Sequence, residues 1–391
     1  MEDPLRTLEQ LSAKEHSLAP LLYRTLKMEG RLQQVTEEVG SSLRQAYLAN
    51  VARNLMLNKA LVEVLDAFET HGIQAIVLKG AVLSETIYPD IGTRPMADVD
   101  LLVRPEDLPQ IEVILTDLGY ELRWSYELSE AFCRRFRSEL IAYSDRWHAS
   151  IDIHWHLLNQ TWFHRVCSID LSALWADTRP MVIGKAQALQ LAPEHNLLHL
   201  CVHLALQHDY QGILWYVDID RVARSEDIRW DRFVADAHAF KIKTAVYYAL
   251  VFTRQLLGTP IPDSALNVLR PSRLRLRLVY RFVNPTMVLD ADRPMLPRRG
   301  RFVLRLFLID DWRDALRFLV SASFPDRQWM MGRYRLKRRW MLLLCYPLHW
   351  ARVLAQAVSA VRHMAIPVRG LSKQKKAKSE EGGQAGKEGK P

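Results

Sequence analysis

The segment "TRPMADVDLLV", Thr93 to Val103, sets Asp98 and Asp100 two positions apart inside a run that otherwise reads as a buried strand. Side chains alternate along a strand, so Asp98, Asp100 and Leu102 face one way and Val99, Leu101 and Val103 the other. Neighbouring carboxylates repel unless one takes a proton or a cation lies between them. A second strand candidate, "ASIDIHWHLL" from Ala149 to Leu158, puts Ile151, Ile153 and Trp155 on one face and Asp152, His154 and His156 on the other. If the two strands pair with their polar faces on the same side, Asp152 completes an all-oxygen site with Asp98 and Asp100. Such a cluster suits Mg²⁺ (or Mn²⁺), which keeps several waters and takes further ligands from substrate phosphates. Two ions held this way activate an attacking hydroxyl and stabilise a leaving pyrophosphate in an in-line displacement. His154 and His156 would then orient the Asp152 carboxylate.

Phosphates need a different set of groups. Lys79 and Gly80 stand where the apolar run "IQAIVL", Ile73 to Leu78, gives way to the helix pattern "AVLSETIY". Glycine lets backbone approach a phosphate, a helix start offers free N–H groups, and lysine adds positive charge. An ordinary structural turn is the competing reading. His199 and His203, four apart in "LLHLCVHLALQH", have apolar neighbours and no accompanying HExxH glutamate, so buried, hydrogen-bonded structural roles are expected. Asp218 and Asp220 in "YVDIDRV" repeat the aspartate spacing in a helical setting, where residues two apart do not share a face.

The elements around these residues follow from periodicity. Residues from about Leu5 to Phe68 read as helices, and Gly72 stops the last of them. After the aspartate strand comes a helix, "PEDLPQIEVILTDLG", and then a strand, "ELIAYSD". The layout up to Leu158 is therefore an α+β arrangement, a small mixed sheet with helices against it. Beyond Asp170 the pattern reads as helical, with helices at "APEHNLLHLCVHLALQH", "WDRFVADAHAF", "KTAVYYALVFTRQLLG" and "LRLRLVYRFV". The expected divisions are a helical region 1–70, a catalytic domain 71–170, a helical domain 171–370 and a disordered tail 371–391 that lacks aromatic and β-branched residues. Trp340 to Val361 is largely apolar but broken by Pro347 and Arg352, too interrupted to span a membrane. A packed helix pair is expected there, with an amphipathic helix making peripheral membrane contact as the alternative.

Bulk properties narrow the class. With 391 residues and 49% hydrophobic composition the chain is globular and long enough for more than one core. The net charge of +9 is concentrated in the C-terminal half, away from the aspartates, which gives no strong case for a nucleic-acid partner. Cys133, Cys167, Cys201 and Cys345 lie far apart with no CxxC pair, fitting reduced thiols and a cytoplasmic setting. The opening "MEDPLRTLEQ" carries acids and no apolar run, so no signal peptide is expected.

Taken in order, "IVLKGAVLSETIYPDIGTRPMADVDLLVRPEDLPQIEVILTDLGYEL", "IDIHWHL", "LAPEHNLLHLCVHLALQH" and "YVDIDRVAR" resemble the bacterial uncharacterised nucleotidyltransferases of the DNA polymerase β-like superfamily, over roughly Ala60 to Gly258. The resemblance implies a nucleotidyltransferase (polymerase β palm-like) mixed sheet with flanking helices and a helical C-terminal domain. It implies Asp98, Asp100 and Asp152 as catalytic and metal-binding carboxylates, and Lys79 and Gly80 as the phosphate loop. Arg94 matches the arginine that precedes the aspartate pair and is a further phosphate-binding candidate. One departure from the superfamily stands out: Lys79-Gly80 replaces the usual Gly-Ser or Gly-Gly, so Lys79 supplies the missing phosphate contact or nucleotide binding is altered or lost. The expected activity is transfer of an NMP from an NTP, ATP among them, to a hydroxyl of a small-molecule, sugar or protein acceptor. A degenerate member that binds nucleotide or a partner without turnover is the alternative.

Overall fold

A computed structural model describes residues 17–124, 130–158, 163–288 and 298–365. The expected tail 371–391 and the N-terminal residues 1–16 lie outside that set. Seven strands form one mixed sheet: β1 Ile76–Leu78, β2 Val99–Leu102, β3 Glu121–Trp124, β4 Glu139–Ser144, β5 Ala149–His154, β6 Thr178–Ile183 and β7 Ala186–Leu191, in the order β3-β4-β5-β2-β1-β7-β6. β2 runs antiparallel to β1 and parallel to β5, and β1 runs parallel to β7. Every residue of β1 and β2 is buried, as expected for central strands covered on both faces. β4, by contrast, alternates half-buried and buried residues, the pattern of a strand with one face on the core.

The sheet does not end at residue 170. β6 and β7 form a hairpin that continues it, so the wholly helical reading beyond Asp170 gives way and the helical part begins at Pro193. The hairpin turns on Gly184 and Lys185, with Ile183 opposite Ala186 and Gly184 at φ +61°. That is a two-residue connection of the kind that needs positive φ. Pro180 is accommodated because β6 is the sheet's last strand.

The Glu37–Thr70 helix starts on Thr36, whose side chain accepts from the Val39 N–H. It buries Leu57, Leu61, Val64, Leu65 and Phe68 in a core that also holds β1, β2, β5 and the helices Pro193–Leu206, Ile213–Ser225 and Lys243–Leu257. Sheet and helical part therefore share one continuous core. The Lys243–Leu257 helix closes on Gly258 in the left-handed conformation. In place of the expected packed helix pair at 340–361 there is a short turn, Arg339–Met341, and one long helix, Leu342–Ala365. Pro347 falls in its second turn, where the missing N–H removes a single early hydrogen bond without stopping the helix. Among the described residues no helix is long and apolar enough to cross a membrane. The four cysteines are free thiols.

Candidate active site

β2 places Asp100 and β5 places Asp152, and the parallel register sets the two directly opposite each other. His154, two residues further along β5, is diagonal to Asp100 on the same face. One ligand atom from each of Asp100, Asp152 and His154 lies within 4.8 Å of the other two. Asp98 lies just ahead of β2, half-buried and outside that tight group. The group at the centre is thus two carboxylates and an imidazole, not the all-oxygen trio expected. His154 directs its Nε2 at Oδ1 of Asp100, 2.8 Å away, and not at Asp152. Asp152 accepts from the Ser150 hydroxyl at 2.9 Å. His156 is turned aside: its Nδ1 accepts the Leu158 N–H and its ring lies 4.1 Å from that of His164.

Lys79 approaches the same oxygen from β1. Its Nζ donates to Asp100 Oδ1 at 2.5 Å, and both side chains are nearly enclosed, 12% and 7% exposed. Lys79 reaches this position with a left-handed backbone, φ +49°, at the first residue of the Lys79–Thr86 helix. A positive φ is strained for a side-chain-bearing residue and is held here by its surroundings.

These contacts separate the two carboxylates electrostatically. Burial by itself would raise Asp100, but the Lys79 charge and the His154 hydrogen bond hold it far below the usual carboxylate range. Burial, followed by the charges of Asp100 and Asp98, pushes Asp152 up to about 7. Asp98 is also raised, by burial and then by Asp100. Burial works against the charge on Lys79 and His154, yet their contacts with Asp100 outweigh it and both are raised. One carboxylate is fixed as the anion and its neighbour is poised to exchange a proton near neutrality, a division of the acid and base roles.

The donor set fits a divalent cation. Asp100 and Asp152 offer oxygens on one face, His154 stands in the same group with its Nε2 on Asp100, and the Lys79 ammonium already sits as a cation on the shared oxygen. A pair of carboxylates of this kind suits hard divalent ions that keep part of their water shell.

Gly80 and Arg94, the other two expected phosphate ligands, lie against each other. Arg94 is 3% exposed and clamps Asp218 through two bonds, Nε to Oδ1 at 3.2 Å and Nη2 to Oδ2 at 2.7 Å. Its guanidinium lies over Gly80, where an added Cβ would come within 2.1 Å of Nη1. The glycine thus makes room for Arg94, whose guanidinium is paired with Asp218. Tyr88 donates to the same Asp218 at 2.6 Å. Asp218 lies in the Ile213–Ser225 helix as its periodicity required, while Asp220 pairs separately with Arg224 at 2.7 Å. Sequence reasoning set Asp218 aside; the signal that could have found it is Arg94, a buried cation needing an anion.

The loop leading to Asp98 is held by polar residues of the Glu37–Thr70 helix. Asn50 donates to Gly92 O at 2.8 Å, and Asn54 to Arg94 O at 2.8 Å. Tyr47 donates to Asp90 at 3.1 Å, and Arg24 pairs with the same carboxylate at 2.5 Å. Asn50 and Asn54 are buried although they are polar, and nothing in the local sequence distinguishes them from surface positions.

Above Lys79 the helical part supplies a cover. His199 and His203 are buried as expected, but the Nδ1 of each has no hydrogen-bond partner among the described residues. Burial, aided by the Lys79 charge, lowers His199 to about 3 and His208 to about 4, so both rings are neutral. His208 stacks on Trp215 with ring centroids 4.3 Å apart, and the Arg94 guanidinium lies 5.5 Å from the Trp215 ring centroid.

No curated protein matches this sequence. Among solved structures, an antigenic nucleotidyltransferase-like protein from Paracoccidioides brasiliensis is similar, with 16% identity and a TM-score of 0.35 over 54% of this chain and 93% of that one. Residues 10–258, more than half of the sequence, match the family model described as uncharacterised nucleotidyltransferase, and the chain belongs to that family.

Proposed function

We propose that the protein transfers a nucleoside monophosphate from an NTP to a hydroxyl of a small-molecule, sugar or protein acceptor, with Mg²⁺ or Mn²⁺ bound at the carboxylates. The observation carrying this reading is the register of Asp100 against Asp152 on adjacent parallel strands, with His154 in the same group. The acceptor oxygen attacks the α-phosphorus, its proton passes to Asp152, and the bond to pyrophosphate breaks as pyrophosphate departs. Asp152 faces Asp100 from the neighbouring strand and is, among the described residues, the carboxylate left without a cationic partner, so it has an oxygen to offer that proton. A bound divalent ion supplies charge neutralisation on the triphosphate and on the developing transition state. Asp100 and Asp152 hold the ion, His154 steadies Asp100, and Asp98 adds negative charge at the entrance. Lys79, once released from Asp100, is the phosphate contact, and the His199 and His203 rings keep water from the reacting groups.

Incubating the pure protein with each labelled NTP, Mg²⁺ or Mn²⁺ and a cell extract tests this. Transfer of label with release of pyrophosphate is the expected result. A second reading, nucleotide binding without turnover, is favoured by the Lys79 ammonium standing on Asp100. Under that reading calorimetry detects NTP binding while no NTP yields pyrophosphate.

A further inference from the structure

The last helices of the described chain carry an apolar surface that the nucleotidyl-transfer site does not use. The Trp312–Ser323 helix buries Asp314, Phe318 and Ala322. Its opposite stripe continues into Phe324, and there Trp312, Leu316 and Phe324 are 68%, 53% and 61% exposed. The Leu342–Ala365 helix buries Leu342 and His349 and turns outward Leu343, Leu344 and Leu354, at 78%, 67% and 66%. Side-chain bonds lock the two helices together: His349 Nε2 with Ala322 O, and Trp350 Nε1 donating to Ser323 O, each at 2.7 Å. Phe324 and Trp350 meet with ring centroids 5.4 Å apart, which joins the two stripes into one face. An apolar face of this extent on a soluble domain marks a place where something else binds.

Charge identifies the occupant. Arg333, Lys337, Arg338 and Arg339 are exposed in the segment entering the second helix, and Arg352 is exposed within it. Between Asp326 and Glu380 the sequence has no acidic residue. A second copy seated by a two-fold axis would bring these cationic rims against each other. A bilayer offers apolar chains beneath and anionic headgroups at the rim, and tryptophan with arginine beside exposed leucines is the composition of a segment lying in that interface. The helix does not meet the requirement for crossing. We propose that this two-helix face seats the protein on a membrane surface containing anionic phospholipid, with Leu343, Leu344 and Trp312 below the headgroups and the arginines on their phosphates.

Co-sedimentation of the full chain with vesicles tests this, comparing pure phosphatidylcholine with a mixture in which one lipid in four is phosphatidylglycerol. The mixed vesicles are expected to bind the protein at least about tenfold more tightly, with the difference shrinking at high salt. The double variant Leu343→Glu, Leu344→Glu should lose at least about tenfold in that binding while its circular dichroism and unfolding temperature match the wild type. If that variant misfolds, Arg338→Glu with Arg339→Glu removes the charge at exposed positions and should abolish the preference for the anionic vesicles. Wild-type protein that ignores both vesicles, or variants that bind as well as wild type, overturns the proposal. So does a concentration-dependent dimer by light scattering that the leucine variant abolishes while the wild type shows no vesicle binding; a second copy then covers the face.

Discussion

Replacing Lys79 with methionine removes the cation that Asp100 holds while keeping most of the side chain's volume. A divalent ion and the Lys79 ammonium compete for the same Asp100 oxygen, so in the wild type ion binding must first break a 2.5 Å contact between two nearly enclosed groups. A hydrogen bond between charged partners contributes about 1.5–3 kcal/mol net. Relieving the ion of that cost should tighten Mn²⁺ binding to the nucleotide-free Lys79→Met protein by about tenfold to a hundredfold, at about 1.4 kcal/mol per tenfold. In EDTA the same change should destabilise the fold by about 3 kcal/mol, since Asp100 keeps only His154 as partner. Mn²⁺ titration followed by electron paramagnetic resonance gives the affinity, and urea unfolding in EDTA and in Mn²⁺ gives the stability. Mn²⁺ affinity that is unchanged or weaker in the variant would refute the competition, and Lys79 would then be a supporting residue for the ion site.

Asp152→Asn should keep NTP–Mg²⁺ binding within about tenfold of wild type yet lose at least about a hundredfold in transfer rate; transfer near the wild-type rate removes Asp152 from the chemistry. Asp152 is pushed up to about 7 in the fold, against about 3.9 in an unstructured chain. The folded state therefore retains a proton that the unfolded state has lost between those values, so this group's contribution to ion-free stability falls as pH rises through that window. Mn²⁺ should accordingly raise the unfolding temperature more at about pH 8 than at about pH 5.5, and an equal rise at both contradicts the assignment. Asp218→Asn leaves the enclosed Arg94 guanidinium without its anion and should cost about 3–5 kcal/mol in urea unfolding; a loss below about 1 kcal/mol would mean that the clamp is not structural.

What the sequence disclosed was period and charge. Alternation in two short runs put Asp100 and Asp152 on the polar faces of their strands; that the strands pair was a condition of the reading, and the register of β2 against β5 meets it. The helices Pro193–Leu206, Trp230–Ala239 and Lys243–Leu257 were equally plain from their apolar spacing and their Pro and Gly boundaries, whereas those from Arg298 to Arg333 were not singled out. The β6–β7 hairpin escaped notice because Pro180, Gln187 and Gln190 dilute its alternation, although Gly184-Lys185 between two short runs was the available sign. Partner choice was the least legible property. That Lys79 and His154 would share Asp100, and that Arg94 would turn to a helix far along the chain, depends on which side chains the finished core brings within reach. Gly80 was expected from the loop chemistry and Arg94 from the resemblance; what neither disclosed is that they lie against each other, the guanidinium standing where a side chain at position 80 would go.

The placement of β1 has a consequence for how the molecule is made. This short strand leads directly into Lys79 and lies between β2 and β7, and its pairing with β7 brings Ile76 beside Leu189. During synthesis β2 is available soon after β1, but the other side of β1 stays an open edge until the chain has grown past residue 189. Parallel pairing over such a separation is slow to form, and an unpaired apolar edge is prone to join the wrong neighbour. A chain released before β7 has emerged would carry every carboxylate of the site on a sheet with a sticky flank, so its quality should be limited by aggregation long before chemistry matters.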